Sequence, residues 1–173
     1  MAVSAAFSPA DFVRAYLPAA RANEASHGVP ALLTLAQAAL ESGWGKHAPG
    51  FNFFGIKADP SWKGEKQILK TREVINGVTV WRDEPFRKYA RPEDSFADHA
   101  AFLRRWPRYA KVFETTDPRE AARRVAAAGY ATDPNYAAKL ISIIGELEKT
   151  SPPPPIVPPK RPSLFAWIRS WFP

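Results

Sequence analysis

Residues 30–45, PALLTLAQAALESGWG, decide how this chain reads. Pro30 suits a first helical position and Gly43 a C-terminal cap, so a helix is expected from about Pro30 to Ser42. Leu and Ala fill it. Its few polar side chains, Thr34, Gln37 and Glu41, stand at i, i+3 and i+7 and share one narrow stripe. The pattern predicts a helix buried on most sides and wet along that line. Glu41 falls in the last turn, with Leu40 before it and Trp44 after it, and both the helix dipole and the apolar neighbours favour the protonated acid. A carboxyl held that way beside an apolar wall is what general-acid cleavage of a glycosidic bond requires. Spacing alone leaves a second reading open, a glutamate fraying into solvent at a helix end.

On the N-terminal side, Ser8-Pro9-Ala10-Asp11 reads as a capping box that starts an amphipathic segment through Phe12, Ala15 and Tyr16. Pro18 is expected to kink or restart it, and Gly28 to close it. On the C-terminal side the period changes. Two strand-like segments between Gln67 and Tyr89 flank Asn76-Gly77, a strong two-residue hairpin signal. With that turn, Ile75 faces Val78, Glu73 faces Val80 and Lys70 faces Asp83, the last an opposite-charge pair. Helical patterning returns after Pro92, with Phe96, His99, Phe102 and Leu103 on one face. Asp117-Pro118 opens a further helix that Gly129 ends, and Asp133-Pro134 opens the last, with Tyr136, Leu140, Ile143, Ile144 and Leu147 inward. These elements describe a small α+β protein dominated by helices.

Composition narrows the classes. The chain has 173 residues, 46% hydrophobic and 13% aromatic, enough for one good core. No apolar run approaches the about 20 residues a spanning helix needs. The start, MAVSAAFSPADF, lacks the basic cluster and apolar stretch of a signal peptide. The absence of cysteine excludes disulfides and thiolate chemistry. His27, His47 and His99 are scattered without metal-site spacing, so no metal and no organic cofactor is expected. The net charge of +7 comes without a dense basic run or a nucleic-acid motif, which favours an anionic cell envelope over nucleic acid.

Several blocks together resemble the glucosaminidase domains of glycoside hydrolase family 73, the type found in flagellar peptidoglycan hydrolases and many phage endolysins. They are AQAALESGWGK (36–46), NFFGIKA (52–58), TREVING and FRKY in the hairpin, SFADH (95–99), PRYA (107–110) and AGYATDPNYAAKL (128–140), in the family's order across nearly all of residues 8–149. The resemblance implies a lysozyme-like fold with a β-hairpin lobe over the catalytic cleft. It implies that Glu41 is the proton donor and that Glu73, counted back from FRKY, is the second carboxylate; a solvated hairpin charge is the alternative. It places Tyr130 in the cleft beside the sugar's N-acetyl group, with a packing role as the alternative. It makes Asn52, Phe54 and Lys57 the border of the sugar site, with Asn52 offering its amide and Phe54 an apolar face. Tyr136 suits either the site or the core, and Trp44 is expected to pack against the Glu41 helix, with sugar contact open. Asp59, Glu65, Asp83 and Glu84 are the other carboxylates near the hairpin.

Residues 1–150 thus read as the catalytic domain. Residues 151–162 are a stiff proline-rich linker and 163–173 a short cationic aromatic tail suited to a membrane or outer-envelope interface, unless it folds back on the domain. The resemblance stops before the tail. The expectation is a monomeric endo-β-N-acetylglucosaminidase, made in the cytoplasm without a signal peptide and acting on peptidoglycan glycan strands at the cell wall, in the manner of a phage or prophage endolysin. The alternatives are a flagellar-assembly hydrolase, a lytic transglycosylase, and a non-catalytic wall-binding module.

Overall fold

The computed structural model describes residues 8–75 and 77–150, the side chains of 72–75 excepted. The linker and tail expected beyond residue 150 lie outside the described residues.

Helix α1, Pro9–His27, starts at the expected capping box: the Ser8 hydroxyl accepts from the Asp11 N–H while the Asp11 carboxylate accepts from the Ser8 N–H. It does not break at Pro18. The proline ring faces solvent and removes only the hydrogen bond to the Arg14 carbonyl, on the exposed side where water can take it. Phe12, Val13, Leu17, Ala19 and Ala20 are buried on both sides of the proline and hold the helix through it. Gly28 then caps α1 in the left-handed region (φ 76°).

Helix α2, Ala31–Ser42, is the central element, with Pro30 as its N-cap rather than its first residue. Thr34 and Gln37 are fully buried, so the stripe expected to be wet is dry except at Glu41. The reason is the last helix, α5 (Tyr136–Thr150), which packs along α2 and covers the stripe. At the C-terminus of α2, Gly43, Trp44 and Gly45 all take positive φ. The turn is fastened by the Trp44 N–H to the Ala39 carbonyl (2.8 Å) and the Gly45 N–H to the Ser42 hydroxyl (2.8 Å). Trp44 bears the strain of a non-glycine in that region, offset by its edge-on packing against Phe12.

The hairpin strands are β1, Lys66–Ile75, and β2, Val78–Arg87, paired antiparallel in the expected register: Ile75 with Val78, Glu73 with Val80, Lys70 with Asp83. A two-stranded sheet alone is marginal, and its base is tied to the body. Lys57 bridges Phe86, the Arg87 N–H donates to the Ile56 carbonyl (3.0 Å), and the Arg87 guanidinium grips both Asp98 oxygens at 2.8 Å. Asp98 belongs to α3, Pro92–Arg105, whose Phe96, His99 and Leu103 are buried as the period required, with Phe102 partly covered. A 3-10 segment, Pro107–Glu114, and α4, Pro118–Ala127, close the helical body. Helix α5 begins two residues after Pro134, because the Asp133 side chain caps the preceding turn by accepting from the Asn135 N–H. Among the described residues no helix is long and apolar enough to cross a membrane.

Candidate active site

Glu41 ends α2 at the wall of an open cleft of about 460 Å³, bounded by the loop after Asn52, the base of the hairpin, the α3 corner and the Tyr130 loop. The carboxylate is exposed rather than walled in. Its Oε1 accepts a 2.8 Å hydrogen bond from the Tyr136 hydroxyl, while Oε2 has no partner among the described residues and is the oxygen left for a substrate. The Tyr136 hydroxyl in turn accepts from Gln37 Nε2 at 3.2 Å. Gln37 sits one helical turn before Glu41 and its amide is fully buried, so the hydroxyl is steered from below and its hydrogen points at the carboxylate. Burial, then the negative charge of Glu41, push the Tyr136 hydroxyl far above the ordinary tyrosine range, so it stays a donor.

Tyr130 stacks on Tyr136, centroids 5.8 Å apart and planes 16° from parallel, and lines the cleft. Its hydroxyl is likewise held neutral, by burial first and by Glu41 second. Phe54 lines the cleft with one face taken by His99, stacked at 3.9 Å, and Lys57 lines it while meeting Glu84 at 3.5 Å. These expected residues converge with Glu41.

Two others do not reach the cleft. Asn52 is buried and its amide serves the backbone: Nδ2 donates to the carbonyls of Ile56 (2.9 Å) and Arg87 (3.0 Å), and Oδ1 accepts from the Ile56 N–H (3.0 Å). It shapes the loop carrying Phe54 and Lys57 rather than offering its amide to a sugar. Trp44 was expected to pack against the Glu41 helix; its ring contact is instead with Phe12 of α1, and it is not among the residues lining the cleft. Glu73 is placed by backbone only, opposite Val80 on β1; its side chain lies outside the described residues.

The cleft also holds Asp59, one of the carboxylates named near the hairpin, and several residues given no role from the sequence. Asp59 lines it with its carboxylate bound to Arg87 (2.9 Å) and to Ser61; the Ser61 bonds above all hold it well below the usual range, at about 2. Arg87, stacked 4.4 Å from the Trp62 ring centroid, joins the hairpin, α3 and this loop. Arg105, Trp106 and Arg108 form the opposite corner. Arg87 and Tyr109 lay inside the FRKY and PRYA blocks, whereas Arg105 and Trp106 carried no motif.

The described residues thus form a helical body, a hairpin whose base borders a cleft, and a carboxylate in the last turn of the central helix. The chain belongs to the glucosaminidase family: the family profile described as mannosyl-glycoprotein endo-beta-N-acetylglucosaminidase matches residues 17–149. It is 45% identical over 149 residues to the peptidoglycan hydrolase FlgJ of Salmonella typhimurium, covering 82% of this chain and 47% of that protein. It is 36% identical over 160 residues to a probable N-acetylmuramidase of Lactococcus lactis, covering 87% of this chain and 36% of that protein. The chain spans about half the length of the FlgJ relatives from Salmonella and Escherichia coli. Among solved structures, it superposes on a C-terminally truncated glycoside hydrolase domain of Salmonella typhimurium FlgJ with a TM-score of 0.73 at 41% identity, covering 82% of this chain and 99% of that one. A peptidoglycan hydrolase mutant of Sphingomonas sp. A1 gives 0.70 at 42% identity, covering 82% and 97%.

Proposed function

We propose that this domain hydrolyses the β-1,4 bond joining N-acetylglucosamine to N-acetylmuramic acid in peptidoglycan. The observation that carries the reading is the oriented Glu41: one oxygen is fixed by Tyr136 and the other opens to the cleft. Glu41 delivers its proton from Oε2 to the glycosidic oxygen as the bond to the glucosamine C1 breaks. Water adds at C1 and gives up a proton to Glu73, leaving a new reducing N-acetylglucosamine end. Tyr130, neutral and beside Glu41, donates to the acetamido group or the developing charge.

Support for Glu73 comes from register. Cross-strand partners share a sheet face, and along β2 every second residue returns to it, so position 73 lies on the face of Val80, Glu84 and Phe86. At the hairpin base that face turns toward the body, since Phe86 is buried and Glu84 meets the cleft residue Lys57. Val80 lies seven positions before Arg87, about 23 Å of extended strand, so the hairpin must curl over the cleft for Glu73 to act.

An endolysin setting draws on the cationic aromatic sequence of residues 163–173, while a flagellar setting draws on the 45% identity to FlgJ. The bond assignment is tested by digesting purified sacculi, reducing the new ends with borohydride and weighing the fragments. Reduced N-acetylglucosamine ends are expected; reduced muramic ends would mean the other bond, and anhydro-muramic ends a transglycosylase.

A further inference from the structure

The cations of the cleft fall into two groups. Lys57 is matched by Glu84, and Arg87 by Asp59 and Asp98. Arg105 and Arg108 also line the cleft, both exposed, and neither has a carboxylate partner among the described residues. They bracket the corner where α3 ends at Arg105 and the 3-10 segment begins at Pro107. That corner is pinned, because Tyr109 and Val112 are fully buried just beyond it.

Arg108 is also tied to the reacting end of the cleft through rings. Its guanidinium lies 4.7 Å from the Tyr109 centroid, Tyr109 is 6.1 Å from Tyr130, and Tyr130 stacks on Tyr136, which holds Glu41. Two guanidinium groups without carboxylate partners among the described residues, carried on a pinned corner of the cleft, suit carboxylates, which arginine takes bidentately.

We propose that Arg105 and Arg108 bind the free carboxylates of the peptide stem carried by the muramic residue, so that the domain prefers stem-bearing over stem-free glycan. This rests on the peptidoglycan reading above and adds a determinant to it. The pair sits at the open rim of the cleft, where charge selects the partner and speeds encounter.

The test is equilibrium binding of soluble stem-bearing and amidase-treated, stem-free glycan fragments to full-length Glu41→Gln, so that nothing is cut. Stem-bearing chains are expected to bind about tenfold more tightly. Adding Arg105→Gln and Arg108→Gln brings the ratio near one, whereas adding Arg105→Lys and Arg108→Lys leaves only the part due to charge, between the two, because lysine lacks the bidentate fork. Equal affinities in the parent, or an unchanged ratio in the double glutamine variant, would overturn the proposal. Cleavage of the same chains by wild type is scored separately: no cleavage with an arginine-dependent ratio would sink the hydrolase reading and leave the stem site standing.

Discussion

The hydroxyl of Tyr136 donates a 2.8 Å hydrogen bond to Glu41 Oε1 across 95 residues of sequence, joining the first turn of α5 to the last turn of α2. It is the one side-chain contact that orients the carboxylate among the described residues. Tyr136→Phe keeps the buried ring and its stack on Tyr130 and removes this bond together with the one the hydroxyl accepts from Gln37. A kcat about 10- to 100-fold lower, with KM within a factor of about two, is expected. Equal losses in KM would make Tyr136 a substrate contact instead.

Glu73→Ala is expected to lower hydrolysis of sacculi by about 10²-fold or more, with part of the rate restored by azide, a small nucleophile that needs no general base. Unchanged activity would remove Glu73 from the mechanism and turn attention to Asp59, already in the cleft but bound to Arg87.

Asn52→Ala removes three part-buried hydrogen bonds from the side chain to the backbone. The Ile56 carbonyl keeps the Arg87 N–H, but the Ile56 N–H loses its partner, at a cost of about 1–3 kcal/mol read as a shift of the urea midpoint. If stability holds and only KM rises, the amide belongs to the substrate after all.

His99 is fully buried against Phe54, with no hydrogen-bond partner on either ring nitrogen among the described residues. Burial depresses its pKa from 6.5 to about 3. The unfolded chain therefore binds a proton below pH 6.5 that the folded chain refuses until about pH 3. That contribution to stability is present above 6.5 and is lost as the pH falls through the window. Between pH 7.5 and 5 the loss from this residue is about 2 kcal/mol. His99→Phe, which keeps the aromatic stack, is expected to lose about that much less over the same range in denaturant titrations; identical slopes would show that His99 is not buried neutral.

Local chemistry made much of the fold legible. The capping box at Ser8, the Gly43 end of α2 and the Asn76-Gly77 register are short-range signals, and the described structure follows them. Pro18 was misleading because its penalty depends on which side of the helix loses a carbonyl partner, and that side is solvent. The Thr34–Gln37 stripe was misleading because periodicity cannot name what covers it; the cover is α5, nearly a hundred residues away. The same distance hid the roles of Gln37 and Tyr136. Glu41, Phe54, Lys57 and Tyr130 were reached through the family's blocks, and Arg108 lay inside one without being given a role, whereas Arg105 and Trp106 join the cleft only through the turn between α3 and the 3-10 segment.

The most direct test compares wild type with Glu41→Gln, an isosteric change at an exposed position that leaves packing intact. Initial rates of new reducing ends from purified sacculi are measured alongside melting temperatures. A loss of about 10³-fold or more at an unchanged melting temperature is expected if Glu41 donates the proton. A folded Glu41→Gln protein that cuts within about tenfold of wild type would contradict that assignment.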